Sequence, residues 1–171
     1  MCYNYYPKLK TILVYPSAFV KQQQNRHIDG VQFSQKVVLA GESWDFGKIV
    51  LSWQDTLIGA QIPDDGRNVV IHEFAHQLDQ ENGRANGAPI LEAGQSYQCW
   101  SDVFSKQFEI LQHQANAGAP SLFDYYGATN PAEFFAVASE VFFEQSRQFN
   151  HEYPQLYRQL TQYYKVNPLQ W

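Results

Sequence analysis

The chain has 171 residues, 44% hydrophobic and 17% charged, which fits one domain with a real core and excludes a disordered or coiled-coil composition. Twelve Lys and Arg against 17 Asp and Glu give a formal charge of −5 and no basic stripe of the kind a phosphate backbone requires, which argues against nucleic acid as a direct ligand. The apolar runs 11–15 and 69–71 fall far short of the ~20 residues that span a bilayer, and Met1–Pro7 shows no export signal, so no membrane span and a cytoplasmic location are expected. Cys2 and Cys99 are not in a C-x-x-C arrangement, and no structural disulfide is expected.

Residues 1–10 read as a loose N-terminal extension of a single domain, 1–171. Three short strands follow: Thr11–Tyr15 stopping at Pro16, Lys36–Leu39 stopping at Ala40-Gly41, and Lys48–Trp53. The turn-rich segment Gly41–Gly47 between the last two could close an antiparallel hairpin. After Asp64-Asp65-Gly66, either aspartate can cap a helix from about Arg67 to Asp79, with Val70, Phe74 and Leu78 on its buried face. A loop through 81–89 leads to a long amphipathic helix marked by Tyr97, Trp100, Phe104, Phe108 and Leu111, ended by Ala117-Gly118-Ala119-Pro120. Asn130-Pro131-Ala132-Glu133 places cap, first-turn proline and N3 glutamate in order for a helix to about Gln145. Tyr153-Pro154 opens a last helix through Tyr164, stopped by Asn167-Pro168. Strands followed by helices make the fold class α+β.

The chemistry is concentrated in His72-Glu73-Phe74-Ala75-His76. Positions i and i+4 share a helix face, so His72 and His76 can present two imidazole nitrogens to one tetrahedral ion, for which zinc is the expected cofactor, one per chain. Glu73 lies about 100° around the helix from His72, out of the ligand row but within reach of the attacking water, and is the expected general base. Zinc lowers the pKa of water to about 7, and the reaction expected is amide hydrolysis. A third protein ligand is needed. Asn82, six residues beyond His76, is not a histidine, and Asp79 stands where a close-spaced histidine class has glycine, so that class is excluded. Glu92, Glu133 and Glu140 remain. Glu133 could instead bond its own helix's amides in a capping box, and Glu140 could orient a ligand histidine, so spacing leaves the choice between these two open. Asp79 reads either as a second such orienting carboxylate or as a solvated helix end. Tyr125 or Tyr126 could donate to an oxyanion, or both could simply pack. His27, His113 and His151 lack ligand spacing and read as surface residues.

The run Val70–Asp79, joined with Tyr126–Val137, resembles the Mlc titration factor A family of zinc peptidases; Leu13-Val14-Tyr15-Pro16 and Gln162–Leu169 look similar too. The resemblance extends from about Thr11 to Leu169 and implies a compact zincin-like domain similar to the anthrax lethal factor catalytic domain, with a small, mainly antiparallel sheet. It implies His72, His76 and Glu133 as zinc ligands, Glu73 as base and Tyr126 as oxyanion partner. It implies aminopeptidase-like cleavage of short peptides; apart from the resemblance, a strand such as Lys48–Trp53 could pair an extended substrate along its edge. It also implies an alternative, a regulatory protein that binds a transcriptional repressor of the Mlc type and in which zinc is mainly structural.

Overall fold

The computed structural model describes residues 6–26, 32–44 and 47–171. Cys2 and His27, read above as unpaired and as a surface residue, lie outside them. Five strands come first: β1 (Thr11–Tyr15), β2 (Phe19–Arg26), β3 (Gln32–Leu39), β4 (Gly41–Trp44) and β5 (Lys48–Ser52). Six helices follow: α1 (Trp53–Gln61), α2 (Val69–Asp79), α3 (Tyr97–Ala117), α4 (Pro131–Glu144), α5 (Ser146–Glu152) and α6 (Pro154–Tyr164). This is the expected α+β class.

The sheet that matters for the site has the order β1-β5-β4, with β1 parallel and β4 antiparallel to β5. It is therefore mixed. Ile49, Val50 and Leu51 of β5 are buried between its neighbours, whereas all five residues of β1 are exposed on the sheet's edge. Two sequence expectations change here. The hairpin onto β5 is made by β4, inside the segment read as a turn, while β3 pairs with β2 in a separate antiparallel ladder from Phe19↔Leu39 to Arg26↔Gln32. And β5 is central, with both edges occupied, so it cannot pair a substrate; β4 is the edge strand beside the site.

Ser52 ends β5 and caps α1 in one step, its side chain accepting from Asp55 N–H at 3.3 Å. The chain thus turns into a helix at Trp53, where the apolar run reads as continuing strand. Helix α2 starts later than Asp64 or Asp65 suggests: Asn68 is the cap, accepting from Val70 and Ile71 N–H at 3.1 and 3.2 Å. Gly118, in the left-handed region at φ 60°, ends α3.

Helix α4 is the centre of the molecule. Ala132 and every residue from Phe134 to Phe142 are buried, and apart from Ser139 and Glu140 they are apolar on every side, which only a helix enclosed by others can carry. Trp100 stacks on Phe104 at 4.1 Å, and both rings approach Phe135; Phe123 joins Phe134 to Phe149. Of the expected N-terminal extension the structure describes residues 6–10, which touch the domain. Tyr6 sets its ring edge-on to Phe74 at 5.0 Å, Lys8 Nζ donates to the Glu81 carbonyl, and Lys10 N–H donates to the Gly47 carbonyl. Among the described residues no helix is long and apolar enough to cross a membrane.

Candidate metal centre

Helix α2 buries Glu73, Ala75, His76, Gln77, Leu78 and Asp79, while Val70 and Phe74, expected to face the core, are only half-buried. Its inner face is polar because it is packed against α4, whose Glu133 and Glu140 reach back across the interface. His72 Nε2 lies 3.0 Å from Glu133 Oε2, His76 Nε2 lies 3.1 Å from the same oxygen, and the two Nε2 atoms are 3.2 Å apart. Donors held tetrahedrally at 2.0–2.1 Å from zinc stand about 3.3 Å from one another, so this triangle fits the ion. Charge makes the same point. His72 Nδ1 is 2.8 Å from Glu140 Oε1, so with a cation at Nε2 the remaining ring proton would sit on Nδ1, facing that carboxylate. Two ring nitrogens and a carboxylate oxygen converge on one point, and these three residues can hold a cation there.

The protonation equilibria follow from the crowding. Burial alone lowers His72, but the bonds to Glu133 and Glu140 more than offset it and raise the imidazole to about 10. Burial raises Glu133, yet His72 and His76 hold it down to about 2. Burial also pushes the Glu73 carboxyl up to about 7, against the pull of the two histidines, and its Oε2 has no hydrogen-bond partner. Glu73 rests on β4: a Cβ on Gly41 would lie 2.5 Å from Glu73 Oε1 and 2.6 Å from its Cγ, so only glycine leaves room for the carboxylate. A cavity of about 650 Å³ opens over these groups, walled by Gly41, Ser43, Asn86, Tyr126 and Pro131.

Glu133 is no capping-box residue in full. Its N–H donates to Asn130 Oδ1 at 3.1 Å, but its carboxylate turns to the histidines. Glu140 bridges His72 and the Asn68 N–H, at 2.8 and 2.5 Å. Glu92 pairs with Lys165 at 2.6 Å and does not line the cavity. Asp79 is fully buried, and its Oδ2 accepts from Gly87 N–H at 2.7 Å, so it is a loop clamp and not a solvated helix end. Tyr126 lies over His72 with ring centroids 5.9 Å apart; burial, then the charge of Glu133, pushes its phenol up to about 12, where it remains a proton donor. Tyr125 instead donates to the Ala119 carbonyl. His113 and His151 are exposed, as expected. Sequence reasoning missed Gly41 and Asn68. The first is a glycine inside a short strand, a signal of close approach; the second is hidden in a run of polar residues.

Residues 1–165 match the glucose-regulated metallo-peptidase M90 family. The chain belongs to that family. It is 44% identical over 167 residues to an uncharacterized protein of Synechocystis sp., covering 97% of this chain and 61% of that protein. It is 38% identical over 164 residues to Mlc titration factor A of Escherichia coli, covering 93% and 60%, and 37% identical over 161 residues to that of Escherichia fergusonii, covering 92% and 60%. The chain thus spans about 60% of the length of the curated relatives it matches.

Proposed function

We propose that this metallopeptidase-family chain is a zinc peptidase acting on short peptides in an aminopeptidase-like manner, with His72, His76 and Glu133 as the metal ligands. The observation that carries the reading is the triangle of His72 Nε2, His76 Nε2 and Glu133 Oε2, with sides of 3.0, 3.1 and 3.2 Å. Zinc supplies there a Lewis acid that polarises the scissile carbonyl and acidifies water. Glu140 keeps the His72 proton on Nδ1 and so keeps Nε2 available as a ligand. Glu73, which lines the cavity, takes the proton of the attacking water and hands it to the leaving amine nitrogen. Tyr126, over His72, donates its phenolic proton as a hydrogen bond to the developing oxyanion. An extended substrate has β4 as its nearest sheet edge. The name of the Escherichia relatives makes a repressor of the Mlc type a second candidate ligand, bound with zinc in a structural role.

Elemental analysis of the purified chain beside the His72→Ala variant tests the metal: one zinc per chain, lost in the variant, is expected. Glu73→Gln is expected to keep the zinc and lose about 10²–10⁴-fold in hydrolysis. A chain that takes up no zinc and shows no thermal shift when zinc is added overturns the reading. Full hydrolysis by Glu73→Gln removes the base, and hydrolysis absent from the zinc-loaded wild type turns the balance to the binding protein.

A further inference from the structure

Tyr126 is half-exposed, and its ring is not enclosed by the core. Two things hold it over His72: the hydrogen bond of its phenol to Glu133, and the 3-10 turn Tyr125–Ala128, which Asp124 caps. Asp124 Oδ1 accepts the Tyr126 N–H at 2.8 Å, and its carbonyl accepts from Gly127 N–H at 3.0 Å. The other carboxylate oxygen, Oδ2, pairs with Arg67 Nη2 at 2.7 Å. Arg67 directly precedes Asn68, whose side chain caps α2 and whose N–H donates to Glu140, the partner of His72. The contacts therefore form a circuit: His72, Glu140, Asn68, Arg67, Asp124, Tyr126, closing where the Tyr126 ring lies over His72.

We propose that Asp124 is a positioning residue for Tyr126, registering the phenol against the metal-site helix through its bond to the Tyr126 backbone and its pair with Arg67. The proposal rests on the reading of Tyr126 as oxyanion donor. Arg67 has a side chain 71% exposed, so the ion pair adds little to stability. Its effect is on geometry: it ties the turn to the residues before α2, in addition to the packing of Gly127 on Leu111 and Val137 and the Gln112 Nε2 bond to the Ala128 carbonyl that hold the turn to α3 and α4. A displacement of a donor by about 1 Å can cost on the order of 100-fold in rate, far more than the pair is worth in folding.

The test is a double-mutant cycle on the zinc-loaded full chain, with Asp124→Ala, Tyr126→Phe and the two combined, reading zinc content, kcat and KM for a short peptide. Asp124→Ala is expected to lower kcat by about 10- to 100-fold with zinc content and KM near wild type. The same substitution in the Tyr126→Phe background is expected to change nothing further. Asp124→Asn keeps an oxygen for the Tyr126 N–H but loses the pair with Arg67, so its loss in kcat is expected to match that of Arg67→Ala and stay below that of Asp124→Ala. Should Asp124→Ala fold poorly, Arg67→Ala in the same two backgrounds supplies the cycle, with a smaller loss expected in the first and none in the second. Equal losses in both backgrounds overturn the proposal while leaving Tyr126 in its role. A Tyr126→Phe chain with unchanged kcat sinks the role of Tyr126 and the proposal together, with the zinc and Glu73 readings untouched.

Discussion

Glu133 stands at the third position of α4, where Asn130 already accepts its N–H at 3.1 Å and helix geometry leaves its carboxylate free to turn outward. One residue thus belongs to a helix start and to the metal triangle, which is why the sequence supports both readings of it. Glu133→Gln keeps the cap and the shape but removes the charge, so the chain should fold as wild type and bind zinc far more weakly; a chelator-competition titration measures this. Asn130→Ala should cost about 1 kcal/mol in chemical denaturation and should loosen zinc as well, because the first turn of α4 carries the ligand. Zinc affinity unchanged in either variant counts against Glu133 as ligand.

The elements show where local pattern suffices and where it fails. β1 and α3 are legible because strong periodicity meets strong stops: Pro16 after Tyr15, and Gly118 after Ala117. The start of α4 is legible because Asn130 and Pro131 act locally. Helix α1 is not legible, since Leu57 and Ile58 are exposed and only Gly59 is buried, leaving no inward stripe to read. β2, written Phe-Val-Lys-Gln-Gln-Gln-Asn-Arg, is a strand only through its pairing with β3. Within the site, the histidine pair and Glu73 are fixed by spacing, but choosing between Glu133 and Glu140 takes the crossing of α4 over α2, a tertiary fact. Gly87 shows how that crossing is pinned. At φ +79°, with a would-be Cβ 2.5 Å from the Pro131 carbonyl, it donates to Asp79 and accepts from Trp100 Nε1 at 2.9 Å. Gly87→Ala should cost at least about 1–2 kcal/mol from its backbone alone and should weaken zinc by shifting Pro131, two residues ahead of Glu133. Phe135→Ala, in the fully buried heart of α4, should cost about 3–5 kcal/mol with a smaller effect on zinc. Urea denaturation with parallel zinc titration separates the two.

For the whole molecule, the site is a charge problem as much as a catalytic one. Glu73, Glu133 and Glu140 crowd around two histidines between α2 and α4, and a cation held by His72, His76 and Glu133 would tie the two helices together. With metal at about 100 times its dissociation constant, the stabilisation is about 2.7 kcal/mol, so a chelator should lower Tm by about 5–10 °C. His76→Ala should show no such response in a thermal scan. A wild type indifferent to chelator would mean that the helices are held by their aromatic core alone.

The seat of Glu73 against Gly41 has a consequence for how such sequences can drift. An alanine at 41 collides with the Glu73 carboxylate and Cγ, so it should lower both activity and Tm in wild type; in a Glu73→Ala background the colliding atoms are gone and the same change should be thermally neutral. The proposed base and any side chain at 41 thus compete for the same space, and one can be kept whole only at the expense of the other.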